Sequence, residues 1–78
     1  MKHKKDNNLI LVKIHCQDGL IQNEYFTSLS GAGLYLGVAA QSIKWAINHH
    51  NILVNNEGLQ ITIEMVDGSE IPYKLIND

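Results

Sequence analysis

Residues 9–15, LILVKIH, alternate along the chain: Ile10, Val12 and Ile14 share one side, with Lys13 and His15 on the other. That period of two predicts a half-buried strand. Asp18-Gly19 then supplies a tight turn, and IQNEYF (21–26) returns as the second arm of a hairpin. From Thr27 the period changes. Thr27 or Ser28 can cap a helix on which Leu29, Ala32 and Leu36 fall at i, i+3 and i+7, and Gly37 fits the position just past its end. Gly31 and Gly33 each weaken that helix by about 1 kcal/mol relative to alanine, and they would let another helix approach closely.

A second helix is predicted from about Ala40 to His49, with Ile43, Ala46, Ile47 and His50 inward and Gln41, Lys44, Trp45 and Asn48 outward or at the edge. NILV, the turn NNEG and the alternating LQITIEMV (59–66) follow, placing Ile61, Ile63 and Met65 on one face. Asp67-Gly68 reads as a second hairpin turn, after which SEIPYKLI returns. Pro72 puts that last strand at an edge or a bulge, because proline donates no ladder hydrogen bond. The expected fold is α+β, in the order ββααβββ: a small antiparallel sheet carrying a central helix-turn-helix-like pair. Residues 1–8 are expected to be a flexible basic tail and residues 9–78 a single domain.

Composition narrows the function. The chain has 78 residues, one cysteine and no arginine, and its longest apolar runs are about four residues, well short of the ~20 that cross a bilayer. No signal peptide follows the N-terminal lysines, and a reducing cytoplasmic setting is expected. The net charge of −2 is unevenly spread: Lys2, Lys4 and Lys5 open the chain, while residues 6–78 hold three lysines against eight acids, a net of −5. A domain this small has a thin stability margin, which a homodimer would widen.

Few residues suggest chemistry. His49-His50 looks like half a metal site, but neighbours on a helix point ~100° apart and no acidic or cysteine cluster accompanies them. Cys16 reads as a buried, unreactive thiol, with His15 facing the other way. Glu64, Asp67 and Glu70 read as the solvated surround of a turn, and the tail lysines either solubilise the terminus or touch phosphate. With no phosphate loop, nucleophile elbow or zinc signature, the chain is expected to be non-catalytic, without cofactor, metal or small-molecule substrate.

Two short helices joined by a Gly-containing turn have the dimensions of a helix-turn-helix, in which the second helix meets base edges. Gln41, Ser42, Lys44 and Trp45, with Asn48 and His49, are then the candidate contacts. Gln can bond adenine through two hydrogen bonds, and Ser and Lys can serve base or phosphate. Residues 12–48 also resemble the NUMOD1-type modules appended to phage and intron homing endonucleases. The shared features are Asp18-Gly19, Phe26, Ser28, Ala32, Leu36-Gly37-Val38, Ile43, Ile47 and Asn48. The resemblance implies DNA binding through Gln41, Ser42, Lys44 and Trp45. Ala39 and Ala40 replace that family's serine cap and basic residue, Gly31 and Gly33 replace better helix formers, and Trp45 stands where Arg or Lys is usual.

The leading expectation is a small phage or mobile-element protein that binds DNA or a nucleoprotein complex, with Lys2, Lys4 and Lys5 as candidate phosphate contacts. The alternative is an acidic, phage-encoded anti-CRISPR or anti-defence inhibitor that binds a host protein or nuclease. For that reading Trp45 would be an exposed anchor, whereas helical packing favours burying it.

Overall fold

The computed structural model describes residues 8–77. The strands are β1 (Asn8–His15), β2 (Ile21–Phe26), β3 (Leu53–Val54), β4 (Gln60–Asp67) and β5 (Ile76–Asn77). The helices α1 (Leu29–Leu36) and α2 (Ala40–His49) lie between β2 and β3 in sequence, and a 3-10 turn, Tyr73–Leu75, precedes β5. The fold is α+β, as the sequence pattern predicts. Asn8 already belongs to β1, one residue earlier than expected, and Lys2, Lys4 and Lys5 lie outside the described residues.

The five strands form one sheet in the order β3-β4-β1-β2-β5. β1 is central and antiparallel to both neighbours: Val12 lies opposite Glu24 on one side and Ile63 on the other. Ile10, Val12 and Ile14 join Phe26, Ile61 and Ile63 beneath Ala32, Leu36, Ile43 and Ala46 of the helices, forming the core. On the other face, the beginning of β1 is buried too, at Leu9 and Leu11. β1 is therefore half-buried only toward its end, where Lys13 pairs with Glu64 at 3.2 Å and the His15 ring meets the Thr62 hydroxyl at 3.3 Å.

The end of the chain departs from the expected hairpin. β5 does not return beside β4; it pairs in parallel with β2, Ile76 opposite Tyr25 and Asn77 opposite Phe26. The sheet is thus mixed, with antiparallel pairing everywhere except at this edge. A two-residue hairpin turn requires positive φ, and Gly68 is not among the glycines that adopt it. Instead the Asp67 carboxylate accepts from the Ser69 N–H, and the Ile71 N–H bonds the Gly68 carbonyl. Residues 68–75 then cross the beginning of β1 to reach the far edge. Pro72 sits before the 3-10 turn rather than in a strand, and β5 is an edge strand.

A side-chain latch holds β5. The Asn77 amide donates to Glu24 Oε1 at 2.9 Å and to the Tyr25 carbonyl at 3.1 Å, while Gln22 donates to Glu24 Oε2 at 2.7 Å. Asn77→Ala should cost about 1 kcal/mol and free this edge selectively. Hydrogen exchange should accelerate at residues 25 and 76–77 before it does in β1; uniform acceleration across the sheet would contradict a local latch.

Two turns of matching geometry lie at 16–20 and 55–59. In each, the first residue's N–H bonds the carbonyl four residues on, and the fourth residue is a left-handed glycine, Gly19 (φ 89°) or Gly58 (φ 81°). Asp18 and Asn55 brace these loops by accepting from backbone N–H groups.

Candidate nucleic-acid interface

α1 starts where Ser28, in extended geometry, accepts the Gly31 N–H at 3.0 Å, and it stops at left-handed Gly37. The Gly33 carbonyl takes both the Gly37 and Val38 N–H groups, which turns the chain sharply into α2. Gly33 is buried in that turn: a Cβ there would stand 2.6 Å from the Val38 carbonyl oxygen. The small residue thus brings the start of α2 against α1.

α2 packs on β4 and α1 through Ile43 and Ala46, with Ile47 half-buried. All six candidate residues, Gln41, Ser42, Lys44, Trp45, Asn48 and His49, are exposed. At 100° per residue they fall in one arc of about 160°, in the order Lys44, Asn48, Gln41, Trp45, His49, Ser42. Two expectations for this helix are corrected. Trp45 is not a packing residue: 57% of it is exposed, with its ring 5.1 Å from that of His49. His50 is not on the inward face: it is the exposed, left-handed C-cap (φ 55°), so the helical period ends before it.

Charge divides the molecule. Residues 25–56, which include both helices, contain no aspartate or glutamate and one lysine, Lys44. Among the described residues the carboxylates belong to the sheet and its loops: Asp18, Glu24, Glu57, Glu64, Asp67 and Glu70. Glu64 is spent on Lys13, so the three acids read as a turn cluster are not gathered on one hairpin. Among the described residues no group of three or more His, Cys, Asp or Glu side chains could hold a metal ion. Cys16 is half-buried rather than buried, its thiol directed at the Ile14 carbonyl at 3.8 Å. No described helix is long and apolar enough to cross a membrane.

Beside the Lys44–Asn48 edge of the arc lies a groove of about 290 Å³. Its floor is Ile10, Leu29, Ile47 and Met65; Lys44, Asn48, Thr27 and Ser28 form its rim. The sequence pattern misses it because Met65 alternates with Ile61 and Ile63 and reads as core, yet Met65 is 46% exposed. Met65 lies opposite Ile10 near the end of β4, with Lys44, Ile47 and Asn48 of α2 lining the gap beside it.

No family model, curated protein or solved structure matches this chain.

Proposed function

We propose that this domain is a non-catalytic DNA-binding module that lays the exposed arc of α2 in a major groove, as a dimer or within a larger nucleoprotein assembly. The observation that carries this reading is the combination of Gln41, Ser42, Lys44 and Asn48 on one solvent-facing arc with a helical layer free of carboxylates. An acid-free face approaches phosphate without repulsion, and the amide side chains suit base edges. The resemblance to homing-endonuclease modules of phage and mobile elements points the same way. Lys2, Lys4 and Lys5 would add phosphate contacts.

Anisotropy of a labelled A+T-rich duplex tests the proposal. Binding should appear at ~20 mM salt and fall with a log–log slope of about −2 to −4, since few cations are available. Lys44→Gln should reduce the slope by about 1. Absence of binding at ~20 mM salt would overturn the proposal.

A second reading, an inhibitor of a host protein or nuclease, draws on the exposure of Trp45 and of Leu34, which is 86% exposed. A buried interfacial tryptophan contributes ~2 kcal/mol or more, so Trp45→Ala should weaken a purified complex by about 30-fold or more, as calorimetry would measure. An unchanged affinity would rule out Trp45 as the anchor.

A further inference from the structure

We infer that the groove beside α2 receives one unstacked nucleotide of a bound strand, its base on the apolar floor and its phosphate at Lys44. The inference rests on the DNA-binding reading and adds a ligand class to it. A nucleotide has two apolar ring faces, a polar ring edge and an attached anion. The groove supplies a counterpart to each: Ile10, Leu29, Ile47 and the thioether of Met65 against the ring, the Asn48 amide at the edge, and the Lys44 ammonium for the anion. Ser28 Oγ accepts the Gly31 N–H and so retains its own proton for an incoming oxygen.

Charge selects the occupant. Among the described residues no carboxylate lines the groove, and Lys44 is the one lining cation. Asp67, two residues beyond Met65 on β4, is turned to the Ser69 N–H. A plain aliphatic chain would leave Asn48 and Lys44 without a purpose, and inorganic phosphate would leave the apolar floor uncovered. The volume of about 290 Å³ accommodates a base and part of its sugar.

The test follows methyl resonances of Met65, Ile10 and Ile47 in the full chain during titration with dTMP, dAMP or inorganic phosphate. In parallel, anisotropy compares a blunt duplex with the same duplex carrying a three-nucleotide overhang. Both mononucleotides should move the methyls of all three residues and phosphate alone should not, and the overhang should tighten binding about five- to tenfold. Met65→Ala, at an exposed position and adding no charge, should diminish the Ile10 and Ile47 methyl response and the overhang preference while blunt-duplex binding persists. Lys44→Gln should weaken mononucleotide binding at least threefold. Equal affinity for both duplexes with unmoved methyls would overturn the inference and leave the DNA-binding reading standing; no binding of either duplex would overturn both. Methyl shifts with mononucleotides but no overhang preference would assign the groove to a free nucleotide, overturning the strand-bound form. Shifts only on mixing with a protein partner would overturn it in favour of an apolar side chain.

Discussion

Ile43→Ala is expected to remove about 2–5 kcal/mol of stability, the range for truncating a fully buried aliphatic side chain. Ile43 is 0% exposed and is among the largest fully buried side chains. It enters the core from α2, together with Ala46, above the β1 and β4 residues Val12, Ile61 and Ile63. None of the elements around it can readily close the void: β1 is held on both sides by ladders, and α1 is locked to the start of α2 at Gly33. Small domains sit toward the lower end of the usual 5–15 kcal/mol, so this single change would consume a large share of the total. Urea unfolding followed by circular dichroism should show a lowered midpoint, and thermal melting a fall of about 4–8 °C for each kcal/mol lost. A loss under about 1 kcal/mol would mean that α2 is not pinned through this residue. The candidate interface would then lack a rigid support.

Gly33→Ala should be destabilising by about 1–3 kcal/mol, although helix propensity alone favours alanine by about 1 kcal/mol. Geometry decides the sign. The added carbon would stand 2.6 Å from the Val38 carbonyl oxygen and 3.4 Å from the Ala40 nitrogen, both backbone atoms in the turn between the helices. That turn is tied back to Gly33 by hydrogen bonds of 2.7 and 3.0 Å from Gly37 and Val38, so relief requires α2 to move as a body. Denaturation should reveal the loss, and amide shifts should concentrate at residues 37–41 and along α2. A stability gain would show that the two helices are not in close contact at this point. Because the exposed arc rides on α2, the proposed DNA-binding function requires the same substitution to weaken duplex binding even though Gly33 is itself buried. An exposed-arc variant such as Lys44→Gln should instead alter binding and leave the urea midpoint nearly unchanged.

The legible features share a physical origin. The Ser28 cap, the left-handed Gly37, the first hairpin and both helix spans depend on residues within four or five positions of one another. The arc Lys44–Asn48–Gln41–Trp45–His49–Ser42 likewise follows from helical geometry once α2 is placed. His50 shows where this logic ends: extending the inward spacing of 43, 46 and 47 to 50 assumes another helical residue, whereas the backbone there has already turned left-handed.

What the sequence by itself determined is the local elements from β1 through β4, their order and the outward face of α2, because periodicity, capping and turn chemistry are properties of neighbouring residues. Only the tertiary structure decided the parallel return of β5 to β2, the burial of Leu9 and Leu11, the exposure of Trp45 and the groove at Met65. Each of these depends on what stands opposite a side chain or a strand edge in space. Asp67-Gly68 permits a hairpin but does not compel one, and an apolar side chain on an inward face stays open wherever the facing element does not cover it.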